Sequence, residues 1–117
     1  MTHLADDRDL ALSVGYRATD WSEPLDFDTY LNALTDWHVQ AIMRGDECIG
    51  AVYRKEDEVH VSIVPEWRRK WATKGLLRQV CSKGTSTRVT PGHDYMYGIL
   101  ARLGFKPTDS GKLVLEQ

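Results

Sequence analysis

This 117-residue sequence is short of several things, and each shortage narrows what the chain can be. It has two cysteines, Cys48 and Cys81, with no CxxC pair and no histidine at ligand spacing. A disulfide framework and a metal site are therefore not expected, and both cysteines read as buried free thiols. A net charge of −2 gives no bulk positive field, so nucleic acid is not the expected partner and any basic site must be local. No apolar run approaches about 18 residues and nothing resembles a signal peptide, so the expectation is a soluble, cytoplasmic protein that makes no membrane contact. There is no repeat, low-complexity tract or internal linker. What remains, 42% apolar and 27% charged residues, is a globular composition. The length suits a single domain over 1–117, able to bury about two-thirds of its unfolded surface without staples.

The most informative stretch is VHVSIVPEWRRKWATKGLLRQV, from Val59 to Val80. Val59, Val61 and Ile63 alternate with His60, Ser62 and Val64, which is strand periodicity, and Pro65 ends the strand. After a short turn Ala72, Leu76, Leu77 and Val80 repeat at helical spacing up to Gly84, read as a left-handed C′ residue. Arg68, Arg69, Lys70 and Lys74 stand at the beginning of that helix, where the dipole is already positive. A solvated basic turn would explain them, and so would an anion held by the first-turn N–H groups.

PEWRRKWATKGLL resembles the acyl-CoA-binding segment of the GNAT N-acyltransferase superfamily, roughly P-E-[YW]-R-G-[KR]-G-[IL]-[GA]-x-x-L-L, through Pro65, Glu66, Trp67, Arg68, Lys70, Leu76 and Leu77. A second stretch, MYGILARLGF from Met96 to Phe105, is similar to the family's C-terminal helix and its L-G-F ending. The two motifs cover about half the chain, from Glu58 to Phe105, in the family's order. The resemblance implies an α/β fold with a mixed central sheet flanked by helices, and acetyl-CoA or another acyl-CoA as cofactor. In the family the pyrophosphate lies on the turn, here Arg68, Arg69, Lys70, Trp71, Ala72 and Thr73. The pantetheine arm lies between two splayed strands against exposed backbone, here Ser62, Ile63 and Val64, and His93 stands where many members carry an Asn. The sequence departs from the pattern at Arg69, Trp71 and Thr73, where glycines are usual, and at Leu100, where many members have the Tyr that protonates the leaving thiolate. Versions with a W-A-T core are similar to GNAT-like proteins of bacteriophages, which implies host cytoplasm as the compartment.

The remaining chain reads in order as follows. The first five residues are expected to be loose. A helix starts near Asp6, with Leu10, Ala11, Val14 and Ala18 on one face, and a second starts at Ser22 and Pro24, with Phe27, Tyr30, Leu31 and Leu34 as its stripe. Trp37 to Arg44 and Cys48 to Arg54 alternate as strands of an antiparallel meander leading into Val59. Thr87 to Thr90 form a strand expected parallel to the central one. Met96, Ile99, Leu100 and Leu103 make the last helix, closed by Gly104 and Phe105. Pro107 to Gly111 is a loop, and Lys112 to Leu115 a closing strand.

N-acyl transfer needs a base for the amine proton and an acid for the thiolate. Glu58 is the first candidate base, with Asp57 and His60 as alternatives. A charged hairpin and a half-buried strand histidine are the plain readings of the same residues. Tyr97, with Tyr95 beside it, is the candidate acid, against packing or rim roles for both. Trp67 and Trp71 among the cations could instead stack on bases, and Trp71 could cap an adenine or block its site. The expected partners are an acyl-CoA and a primary amine on a small molecule or protein. The alternative is a GNAT-fold binding protein without chemistry, a phage accessory factor engaging a protein partner.

Overall fold

The computed structural model describes residues 2–18, 25–68, 70–71, 73–81, 84–89 and 94–116. The elements are β1 (Thr2–Ala5), α1 (Arg8–Ala18), α2 (Phe27–Ala33), β2 (His38–Arg44), β3 (Glu47–Lys55), β4 (Glu58–Ile63), a 3-10 turn (Pro65–Trp67), α3 (Lys74–Val80), β5 (Ser86–Thr87), α4 (Tyr95–Leu103), β6 (Phe105–Pro107) and β7 (Leu113–Leu115). They build one mixed seven-stranded sheet in the order β1-β2-β3-β4-β5-β7-β6.

The meander is where the period-two pattern put it, with β2, β3 and β4 antiparallel. The register slips at Ile42/Met43, where Ile42 faces Gly50 and Met43 faces Cys48. Ile49 is the extra residue of this bulge, and it turns into the same core cluster as Ile42 and Val52. One face of the sheet carries α1 and α2 over Val39, Ala41, Ala51 and Tyr53. The other carries α3 over Val52, Val59 and Ile63, and α4 over Phe105, Leu113 and Leu115. The strand pleat therefore sends Val59 and Ile63 towards α3, and Glu58 and His60 to the opposite face.

Several sequence expectations need correction. Residues 2–5 are not loose: β1 pairs with β2 from Thr2↔Arg44 to Ala5↔Ala41, covering an edge that would otherwise leave backbone groups open. The expected start of α2 at Ser22 and Pro24 lies outside the described residues; Asp26 caps that helix, its side chain accepting the Thr29 N–H at 3.2 Å. Gly84 has a left-handed φ of 91° but does not close α3, which ends at Val80 with an extended Cys81. It lies in the return to β5, donating its N–H to Leu115 O. β5 falls at Ser86–Thr87, earlier than expected, and Phe105 begins an unforeseen strand that pairs with β7. Gly104 does end α4 with a φ of 109°.

Candidate functional site

β4 and β5 are parallel neighbours that separate almost at once. Their one bridge pairs Glu58 with Ser86. Beside it the Ser86 N–H donates to Asp57 O at 2.7 Å, and the Thr87 hydroxyl, not a backbone N–H, donates to Val59 O at 2.7 Å. Past this point the strands diverge around a cavity of about 130 Å³. Val59, Val61 and Ile63 line it from β4, Leu77 and Val80 from α3, Val89 from beyond β5, and Met96 and Leu100 from α4.

Strand alternation fixes which backbone groups face the gap. The Val59 carbonyl points towards β5, so the N–H and C=O of Val61 and the N–H of Ile63 point the same way. Ser62 and Val64 are of the opposite parity, and the Val64 N–H is bonded to Ile49 O at 2.9 Å. Of the expected backbone trio Ser62, Ile63 and Val64, only Ile63 presents main chain to the gap, and Val61 was missed. A count of two from any one gap-facing carbonyl would have found it. Ser62 still lines the cavity, and its side chain hydrogen-bonds to Tyr53. The Tyr53 hydroxyl in turn meets the Tyr30 hydroxyl at 2.7 Å, and burial first, then the Tyr53 hydroxyl, pushes the Tyr30 phenol far above its ordinary range.

The basic turn is less open than its sequence suggests. Arg68 lines the cavity, but its Nε donates to Ile63 O at 3.1 Å and its Nη2 to Ala18 O at 2.8 Å, tying the end of β4 to the last residue of α1. Lys70 is exposed, with its Nζ 5.8 Å from the centre of the Trp67 ring, and the Arg44 guanidinium carbon lies 4.7 Å from the same ring. Trp71, at 2% exposure, packs among Ile42, Ile49 and Leu76 and walls the cavity from within, so its indole is neither an adenine cap nor a surface stacking platform. Thr73 is the N-cap of α3, its hydroxyl accepting the Leu76 N–H at 3.1 Å. Arg69, Ala72 and His93 lie outside the described residues.

On α4 the two tyrosines separate. Tyr97 is 50% exposed and does not line the cavity, whereas Tyr95 is half-buried and does. The helical rotation of about 100° per residue carries position 97 off the face shared by Met96 and Leu100. Leu100, at 5% exposure, is an apolar wall. Cys81 also lines the cavity, but burial pushes its thiol up to about 11, so it stays protonated and unreactive at neutral pH.

On the opposite face of β4, at the bridge, stands a polar cluster. His60 Nε2 lies 2.5 Å from Glu58 Oε2, and Lys112 Nζ lies 3.6 Å from Glu58 Oε1. The His60 hydrogen bond, followed by the positive charge of its neighbours, holds the Glu58 carboxyl below its ordinary value, so Glu58 is ionised at neutral pH. Among the described residues no group of three or more His, Cys, Asp or Glu could hold a metal ion, and no helix is long and apolar enough to cross a membrane.

Solved structures of N-acetyltransferases are similar to this chain in fold. The chain superposes over 100% of its length, and 96% of the other, on the alanine N-acetyltransferase of a ribosomal protein from Escherichia coli, with a TM-score of 0.65 and 13% identity. It covers 98% of itself and 99% of Ard1 from Thermoplasma volcanium, with a TM-score of 0.64 and 15% identity. For the PaiA N-acetyltransferase from Thermoplasma acidophilum, solved in complex with coenzyme A, the coverages are 97% and 96%, the TM-score 0.60 and the identity 13%. No protein-family model and no curated protein matches the sequence. The mixed sheet and its flanking helices are the fold of the GNAT N-acetyltransferases.

Proposed function

We propose that the protein is an acyl-CoA-dependent N-acyltransferase, moving an acyl group, acetyl in the simplest case, to a primary amine of a small molecule or protein. The observation that carries the reading is the gap between β4 and β5, with Val61 and Ile63 backbone groups turned into it above an apolar floor. An extended arm bearing amides would complete the ladder that β5 abandons, as a peptide completes an open sheet edge. The fit is good along the arm. At the turn it rests on Lys70 and the main chain, since Arg68 is engaged with Ile63 O and Ala18 O and Trp71 is turned inward.

Bound acyl-CoA would supply the activated thioester. This chain's own residues would do the rest: Val61 and Ile63 hold the arm, and ionised Glu58 takes the proton of the amine directly or through a water. Tyr95 is the α4 phenol on the cavity wall and replaces Tyr97 as the proposed proton donor. A second reading, binding without transfer, is favoured by Leu100, whose side chain occupies the cavity wall and has no proton to give. Calorimetry with CoA and acetyl-CoA tests the first step. Binding is expected, weakened by salt and by Lys70→Ala, because the diphosphate contact is partly charge-assisted. No heat with either compound at low salt would end the transferase reading. Heat without release of free thiol in the presence of amines would select the binding protein.

A further inference from the structure

We infer that His60 is the positioning residue for Glu58 and not a second base, and that Trp37 seats its imidazole for that task. The inference rests on the reading of Glu58 as base.

Residues 58 and 60 share a face of β4, separated by two strand rises of about 3.3 Å each, so the imidazole can bend back onto the carboxylate without leaving the strand. In the 2.5 Å contact the ionised carboxylate can only accept, so Nε2 carries the proton. That nitrogen cannot also take a proton from an amine; only Nδ1 keeps a lone pair, and a base acting through Nδ1 would abolish turnover at every pH in His60→Ala. The second carboxylate oxygen faces Lys112, which arrives from the segment just before β7. Glu58 is thus gripped from two directions by groups belonging to different parts of the sheet.

The imidazole is itself held. Its ring lies 5.6 Å from that of Trp37, tilted by 55°, and Trp37 is fixed through both of its backbone groups. The Trp37 N–H donates to Leu34 O at 3.0 Å, and its carbonyl accepts from Arg8 Nη1 at 2.6 Å. The titratable and charged groups around the pair are Tyr53 opposite His60 on β3, Lys55 over the Trp37 ring, Lys112, and Arg8 of α1. A carboxylate at a strand end otherwise samples several rotamers, and a general base is effective only when it is kept within hydrogen-bond reach of its proton.

Glu58 loses its donor in His60→Ala and keeps a neutral one in His60→Gln. Carboxyl NMR of 13C-labelled glutamate should show the Glu58 midpoint moving up in His60→Ala, less in His60→Gln, and in the same direction in Trp37→Leu. If turnover is present, the acid limb of kcat/KM should shift to higher pH in the same rank order, while acyl-CoA affinity stays within about twofold. An unmoved midpoint in His60→Ala overturns the inference, and an unmoved midpoint in Trp37→Leu removes Trp37 from it. Loss of turnover at every pH in His60→Ala, with Glu58 titrating as in wild type, would make His60 the base. The NMR arm needs no bound acyl-CoA, so it stands or falls independently of the transferase reading.

Discussion

Two glycines sit where a single added carbon would be felt in different ways. A Cβ on Gly15 of α1 would lie 2.0 Å from the Tyr53 hydroxyl and 3.0 Å from that of Tyr30. The paired phenols approach the helix closely only because residue 15 has no side chain. A Cβ on Gly50 of β3 would lie 2.3 Å from Ser62 O, an obstacle that is backbone and cannot rotate away. Gly15→Ala is therefore expected to cost about 1–3 kcal/mol, the usual range for overpacking, as a lowered urea midpoint, while the amide shifts of Val61 and Ile63 move less than in Gly50→Ala. Gly50→Ala should disturb those two amides directly, because β4 itself must give way. If the two variants disturb β4 alike, the placement of Gly15 against Tyr53 is wrong. At this scale the sequence offered Glu58 and Lys70 both as site residues and as solvated charge, and it did not show the fate of Trp71. A tryptophan among cations reads as a surface residue, and only the packing of α3 against the bulge at Ile49 draws it inward.

Among the elements, the end of α1 has the most specific support. Its last carbonyl, Ala18 O, is satisfied by Arg68, fifty positions away in sequence, whose Nε holds the end of β4. A helix terminus otherwise leaves such carbonyls to solvent or to local caps. Arg68→Ala should destabilise the fold by about 1.5–3 kcal/mol, the range for hydrogen bonds from a charged group. Amide exchange should also speed up in the final turn of α1 and around Val61 together. Acceleration at only one of those places would refute the tie. The sequence could not show this, because a motif assigns Arg68 by its neighbours on the chain, while its partners are set by how α1 crosses the sheet. The elements it did show were the four helices, whose apolar residues recur at helical spacing, the meander, and the closing strand at Leu113–Leu115. β1 and β6 escaped because four and three residues are too few for alternation to register, and both are defined by a partner strand, not by their own pattern. Tyr95 and Tyr97 were inseparable for a related reason: residues two apart differ by a rotation about the helix axis that only the packed face reveals.

For the molecule as a whole, the shifted groups set the pH limits of stability. Glu58 has a folded-state pKa below its unfolded value, so its contribution is complete above the unfolded carboxylate range and disappears as pH falls through the lower folded value. Tyr30 and Tyr53 are raised, chiefly by burial, so they favour the fold fully below about pH 10 and progressively lose that effect as pH rises further. A stability profile should therefore fall at both extremes. Glu58→Gln should flatten the acid side alone, and Tyr30→Phe the alkaline side alone. An acid limb unchanged by Glu58→Gln would show that the His60 and Lys112 contacts do not persist in solution.

The lone rung between Glu58 and Ser86 has a mechanical meaning as well. β3 and β4 are joined at six paired positions, whereas β4 and β5 share one, reinforced by the Thr87 hydroxyl on Val59. Under tension the sheet is two plates, β1 to β4 and β5 to β7, sewn with a single stitch and backed by α3 and α4. A force drawn across the strands would tear it along that seam first, so whatever fills the gap would act as a rivet, and its presence should be readable as a higher rupture force even where it leaves the melting temperature almost unmoved.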